Sequence, residues 1–428
     1  MKRRLTLLSI AFATLLSGAH AAPNCQFEKL AAGSGGIGPW IDKGNWLAVE
    51  NQRLSLSAGE VFMPVLRLAP IPASEPLRPA PRPLVIDSIG STDPLDGRPR
   101  DLAFLLDSRL EADGVLILHN GRILAERYRN GLRAEQPRLL LQATRPLLNV
   151  LGAISLAQGK LAADKSVNRY IPALNAQTGT RKLSIQRLLE GEERYNWTPE
   201  ELESWRQAGG WTSAPSAAGI RPWLSQKGLW DKPLEKGLWD KPLVEAEAPV
   251  LSARPSDDLL AWTLSESNAT PLAQLFCEQL LARSRPEHPV LWLTDPQGIE
   301  LGDGLALSLR DFGRIGQLLL ETRTNRNRSK IPTWFIETLA ASAGMRSPEI
   351  KGLPKGSEQR YGFIHLGGAK NRVALIGAHG TSLYIDFDQR LVIALYATYP
   401  KAGSPALLAT LEQFWKSVGL ANAQPHKR

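Results

Sequence analysis

Gln142-Ala143-Thr144-Arg145-Pro146-Leu147-Leu148-Asn149-Val150-Leu151-Gly152-Ala153-Ile154-Ser155-Leu156-Ala157-Gln158-Gly159-Lys160-Leu161 is the stretch on which the reading of this chain turns. From Pro146 onward it is a helix, because proline suits a first helical position and the run stays largely apolar as far as Gly159. Proline also disfavours the α region for the residue before it, which predicts that Gln142 lies ahead of the helix rather than in its first turn. The head of this helix is chemically inert toward acyl groups. A glutamine amide is not a nucleophile, and the Arg145 guanidinium stays protonated at any pH a protein meets, so it cannot act as a general base.

Working outward, Gly114 to His119, Asn120-Gly121 and Arg122 to Tyr128 predict a β-hairpin, since Asn-Gly is the preferred pair for a two-residue turn with positive φ at both centres. Asp101 to Leu110 reads as a short helix. Residues 22–83 are rich in Gly and Pro, with one alternating stretch around Leu54-Ser55-Leu56 and Val61-Phe62, and read as an extended arm. The glycine-rich Gly33-Ser34-Gly35-Gly36-Ile37-Gly38 lies in that arm without the strand-to-helix context of a phosphate loop.

Beyond the opening stretch, residues 146–280 read as mostly helix and loop. An insert at 198–248 carries Lys227-Gly228-Leu229-Trp230-Asp231-Lys232-Pro233-Leu234-Glu235, repeated as Lys236-Gly237-Leu238-Trp239-Asp240-Lys241-Pro242-Leu243. Two copies fall short of the three that a solenoid needs, so the repeat reads as a lengthened surface loop. Six of the twelve tryptophans (Trp197, Trp205, Trp211, Trp223, Trp230, Trp239) fall in this region, either pinning the insert onto the body or forming a carbohydrate or partner surface. Ser308-Leu309-Arg310-Asp311 is a capping box opening a helix from Phe312 to Glu321, with Asp in place of the usual Glu. A meander follows (Tyr361 to Leu366, Val373 to Ile376, Ser382 to Phe387, Leu391 to Ala397). Leu407, Leu408, Leu411, Phe414 and Trp415 then give a final helix, about Pro405 to Val418, a face for packing across a sheet, with 418–428 as a tail.

Four segments, in this order, carry a resemblance. They are Asp113-Gly114-Val115-Leu116-Ile117-Leu118-His119-Asn120-Gly121-Arg122, then Asp164-Lys165-Ser166-Val167-Asn168-Arg169-Tyr170-Ile171-Pro172, then Gly304-Leu305 through Ser308-Leu309-Arg310-Asp311-Phe312-Gly313-Arg314-Ile315-Gly316-Gln317-Leu318-Leu319, and Gly377-Ala378-His379-Gly380-Thr381-Ser382-Leu383-Tyr384-Ile385-Asp386. Together they resemble the serine beta-lactamase and penicillin-binding-protein superfamily, in its branch of class C beta-lactamase-like esterases and 6-aminohexanoate-dimer hydrolases. The resemblance runs from about residue 46 to 417 and implies a beta-lactamase-related domain at 84–417. The implied fold is α+β: an antiparallel sheet built from both chain ends, flanked by helices, with an inserted mostly helical lobe.

The resemblance also implies where chemistry should sit. The superfamily's nucleophile helix begins Ser-x-x-Lys, serine as acyl acceptor and lysine as its base. Gln142 and Arg145 occupy those places, and the seventeen residues from Gln142 to Gly159 match the family interval to the end of this helix. No lysine in the chain has a serine three residues before it, so the motif is absent rather than displaced. In Leu264-Ser265-Glu266-Ser267-Asn268, Leu264 is expected at the catalytic tyrosine place of a Tyr-Ser-x-x-Asn-type run that leads into a helix. Leu188 to Trp197 resembles a family segment in which Ser-Gly stands where this chain has Glu193-Arg194. His379, Gly380 and Thr381 are expected to line the cleft, on the strand that replaces Lys-Thr-Gly, with Ser265 and Glu193 as further cleft candidates. As substitute nucleophiles, Thr144 has only the permanently charged Arg145 beside it. Ser155 lies nearly 20 Å along a helix axis from Gln142 at about 1.5 Å per residue.

Residues 1–21 have the layout of a cleavable secretory signal: Lys2-Arg3-Arg4, an apolar run from Leu5 to Leu16, and Ala19-His20-Ala21. The expected location is therefore periplasmic or secreted, with no transmembrane anchor. The net charge of +9 includes the three basic residues of that segment, and the rest is scattered among acidic residues, which argues against a nucleic-acid partner. Cys25 and Cys277, the only cysteines, leave two readings open: one bridge pinning the arm to the body, or two buried thiols. No histidine pair has metal-ligand spacing, and no cofactor is expected. The leading expectation is an exported pseudoenzyme binding a cell-envelope ligand or protein. The rivals are a hydrolase or amidase with a non-standard mechanism, using His379 and Glu193, and a scaffold that docks partners on its tryptophan-rich insert.

Overall fold

The computed structural model describes residues 25–70, 75–191, 195, 197–231, 254–325, 328–341, 350–368 and 370–423. The expected signal segment, Glu193 and the second copy of the repeat lie outside these residues. Along the chain, the arm contributes β1 (Phe27–Leu30) and β2 (Val65–Leu68). The hairpin β3 (Ala112–His119) and β4 (Arg122–Tyr128) follows, then the short β5 (Arg138–Leu139). The helical lobe contains α1 (Thr144–Ala157), α2 (Ile185–Glu190), α3 (Pro199–Gly209) and α4 (Pro255–Asn268). Next come β6 (Val290–Thr294), β7 (Glu300–Leu307) and α5 (Leu309–Thr324). The meander is β8 (Glu358–Arg360), β9 (Phe363–His365), β10 (Arg372–Ile376), β11 (Ser382–Asp386) and β12 (Leu391–Ala397), closed by α6 (Pro405–Ala423).

The main sheet has the order β8-β9-β10-β11-β12-β3-β4 and is antiparallel throughout, so strands from both ends of the described chain meet at β12 and β3. Its central strands are apolar on both faces, as the period of two requires of a sheet covered on both sides. Leu116, Leu118, Leu383, Ile385 and Val392 face one layer, which contains α1 and α5, while Val115, Ile117, Tyr384, Ile393 and Leu395 face the other, with α6. Tyr384 stacks on Trp415 of α6 at 5.0 Å. Helix α5 lies close to the sheet because Gly313 and Gly316 have no side chain; a Cβ at either would stand 2.7 Å from Leu116 or Val392. The Asn120-Gly121 turn adopts positive φ at both residues, as its sequence demands. Ser308 caps α5 by accepting from the Asp311 amide at 3.1 Å.

Several expectations are corrected. Around Leu54-Ser55-Leu56 and Val61-Phe62 the chain forms the short helices Gln52–Ser55 and Gly59–Phe62, not an alternating strand, because Phe62 and Ser55 turn inward onto Trp46. The closing helix runs on to Ala423, since Val418 and Gly419 are still buried beside it. Arg145 is helical despite preceding Pro146; a proline in the first turn forgoes a donor that has no intrahelical partner in any case. The arm is built into a second antiparallel sheet, β1-β2-β6-β7-β5, which the sequence reading lacked.

A disulfide joins Cys25 to Cys277, 252 residues apart, and so anchors the arm to the helical lobe. The described tryptophans of the insert point inward: Trp205, Trp211, Trp223 and Trp230 are all buried, and Trp197 packs edge-on to Trp230 at 5.3 Å. They pin the insert onto the body and offer no aromatic surface. Closing so long a loop limits the unfolded chain, so Cys25→Ser is expected to lower stability by roughly 2–5 kcal/mol. Urea unfolding with and without reductant checks this, and a reductant-insensitive wild-type midpoint would contradict it.

Candidate functional site

The cleft is built where α1 meets the main sheet. Leu141 takes φ +49, a strained value for a branched residue, and the turn Leu141–Ala143 then presents Gln142 ahead of α1. The Gln142 side chain reaches the β10–β11 turn, where its Oε1 accepts from the Ala378 backbone amide at 2.9 Å. Ala143 sits beside Gly377 of the same turn. On the other side, Gly362 lies against Pro146, and the Tyr361 hydroxyl accepts from Gln186 Nε2 of α2 at 2.9 Å.

Arg145 turns away from Gln142 and into the lobe. Its guanidinium donates to Asp257 Oδ1 at the start of α4 and to the Leu188 carbonyl of α2. Helix α4 can approach this closely because Gly302 of β7 has no side chain; a Cβ there would stand 2.4 Å from the Asp257 carbonyl carbon. Behind the pair are two further buried carboxyls. Asp258 accepts from Trp205 Nε1 and the Gly302 amide, both at 2.7 Å, while both carboxyl oxygens of Asp303 are enclosed without a hydrogen-bond partner among the described residues. Burial pushes Asp258 up to about 7, and the Asp257 carboxylate adds to the effect. Burial, reinforced by Asp257 and Asp258, holds Asp303 well above the usual carboxylate range.

His379 lies in the β10–β11 turn, but its ring bonds away from Gln142. Nδ1 meets the Tyr399 carbonyl at 2.7 Å, which places the proton on Nδ1 and leaves Nε2 as the acceptor. Burial lowers its pKa, so the ring is neutral near pH 7. Gly380, at φ +92, faces Leu407 and Ala397, and the Thr381 carbonyl accepts from Gly377. These residues shape the turn that presents Ala378. Thr144 is fully buried, its hydroxyl without a hydrogen-bond partner among the described residues, and Ser155 accepts from Asn268 at 3.0 Å, so neither is an available nucleophile.

Leu264 is displaced from its expected place. The run from Leu264 to Asn268 is itself the last part of α4 and not the approach to its start. Asp257 sits at Arg145, and Leu264 lies seven residues further, about 10 Å along the axis at 1.5 Å per residue. It is fully buried in the core, and no tyrosine occurs between Tyr195 and Tyr361 to stand ahead of α4 instead. Ser265 likewise leaves the site: it lines a cavity of about 520 Å³ with Phe27, Leu66 and Arg221 of other elements, none of them near Gln142 in the bonding network. The residues missed from sequence are Asp257, Asp258, Asp303 and Tyr361. No local pattern in the sequence marks the grouping of Asp257, Asp258 and Asp303.

No family model matches the sequence. Over 308 residues, 69% of this chain and 75% of the relative, it is 21% identical to the 6-aminohexanoate-dimer hydrolase of Paenarthrobacter ureafaciens. A Bacillus anthracis protein assigned as a 6-aminohexanoate-dimer hydrolase superposes with a TM-score of 0.72 at 19% identity, covering 90% of this chain and 98% of that one. The chain has the beta-lactamase/transpeptidase fold. The octameric penicillin-binding protein homologue from Pyrococcus abyssi superposes with a TM-score of 0.53 at 14% identity, covering 76% of this chain and 77% of that one. Among the described residues, no group of side chains has the makeup of a metal site, and no helix is long and apolar enough to cross a membrane.

The buried carboxyls set a pH dependence. Both folded pKa values lie above the unfolded value near 3.9, so the stability each contributes is full in acid and is lost as pH rises through its folded value, which for Asp258 is about 7. Thermal unfolding is expected at lower temperature at pH 8 than at pH 5.5. Asp303→Asn should flatten that difference and raise stability at pH 8; a steeper profile in the variant would contradict the assignment.

Proposed function

We propose that this protein is an exported pseudoenzyme of the beta-lactamase fold, which keeps the cleft between α1 and the β10–β11 turn for binding an envelope ligand or protein and has given up acyl transfer. The observation that carries this is the closed bonding at the two motif positions. Gln142 is engaged by Ala378, and Arg145 by Asp257 and Leu188, so the groups at the cleft head satisfy one another instead of activating a nucleophile. An acyl enzyme needs a nucleophile with a base beside it, and loss of either alone costs about a million-fold in a serine hydrolase. The strained Leu141 supports retention of the cleft, since such conformations persist where the surroundings hold them for a purpose. Envelope localisation rests on the signal-like residues 1–21.

The rival is a hydrolase or amidase like the 6-aminohexanoate-dimer hydrolase it resembles, acting through His379 Nε2 and a water. One experiment separates them: treat the purified protein with a fluorophosphonate or a fluorescent penicillin, and assay ester and short-amide hydrolysis. The expected outcome is no covalent label and no turnover. Label on the cleft, or turnover that disappears in His379→Ala, would sink the pseudoenzyme reading. Gln142→Ala should cost about 1 kcal/mol of stability through the lost bond to Ala378, read from urea unfolding.

A further inference from the structure

A second cavity, of about 290 Å³ and polar, shares no lining residue with the cleft at Gln142 and Ala378. Its walls are the arm at 75–78, the Asn120-Gly121 turn, Ser284-Arg285 and one face of α5. Five of its lining residues are arginines (Arg78, Arg122, Arg285, Arg314, Arg328), against the two carboxylates Glu75 and Glu321.

Pairing accounts for three of the five. Arg314 is bound to Glu287, Arg328 Nε donates to Glu321 at 2.7 Å, and Arg78 meets Glu75 at 3.1 Å. Arg122 and Arg285 are exposed at the mouth and have no carboxylate partner among the described residues. Two guanidiniums without carboxylate partners lining one cavity match the charge of a phosphate monoester, about −1.5 to −2 at neutral pH, and guanidinium is the side chain best shaped to grip phosphate oxygens. Arg285 also holds φ +59, a conformation in which glycine would be easier, so an arginine is kept there at a backbone cost on the order of 1 kcal/mol.

We propose that this cavity is a phosphate-binding site, taking a phosphate group on a small soluble ester or on a lipid headgroup through Arg122 and Arg285. Because it lies apart from Gln142, it stands or falls independently of the cleft.

The test titrates the purified protein with sn-glycerol 3-phosphate, and separately with vesicles containing phosphatidic acid, whose headgroup is a phosphate monoester, by calorimetry and co-sedimentation. Saturable binding is expected in at least one arm. It should weaken by at least about tenfold in the double variant Arg122→Ala with Arg285→Gly, and fall as salt is raised. Binding in the first arm identifies a soluble ester, and binding in the second alone a headgroup. Arg285→Gly relieves the strained backbone, so its melting temperature should not fall, which separates lost binding from lost folding. No saturable binding in either arm, unchanged binding in the double variant, or equal competition by acetate would overturn the proposal.

Discussion

The buried pair between Arg145 and Asp257 fixes the geometry of the whole lobe. It ties the head of α1 to the head of α4, and ten residues along α1 the bond between Ser155 and Asn268 ties their other ends, so the two helices run side by side. Removing one partner of such a pair strands a buried charge, a loss of about 3–5 kcal/mol. Glycine at 302 lets β7 sit against the same point, which brings the second sheet, and with it the disulfide-anchored arm, into register with the lobe. Gln142 then carries the constraint across to the main sheet through Ala378.

That arrangement also accounts for the bonding of Gln142 and Arg145. Gln142 offers an amide oxygen that accepts one backbone hydrogen bond, and Arg145 a guanidinium whose donors are held by Asp257 and Leu188. Both are stable as they are, and neither needs a substrate to complete it. Burial, with the Asp257 carboxylate beside them, makes Asp258 and Asp303 hold their protons above the usual range.

Much of the framework was legible in the residues. The Asn120-Gly121 hairpin, the capping box at Ser308, the alternating meander and the amphipathic closing helix are local patterns, and local patterns survive folding when burial agrees with them. The failure at Leu264 has the opposite character. A short polar run resembling a motif was taken by likeness alone, while the helix from Pro255 placed it in the last turn, facing the core. Asp303 was invisible for a related reason: its meaning comes from Asp257, Asp258 and Arg145, none of them within forty residues of it in the chain.

By itself, the sequence determined the fold class, through the order of its elements, and the absence of a serine nucleophile with its lysine, because those are properties of residue type and spacing. Only the tertiary structure decided what Gln142 and Arg145 bond to, that Cys25 and Cys277 are joined, that Trp205, Trp211, Trp223 and Trp230 turn inward, and which carboxyls share a buried site. Each of those depends on contacts between residues far apart in the chain, whose proximity is set by how whole layers pack and not by any stretch of sequence read alone.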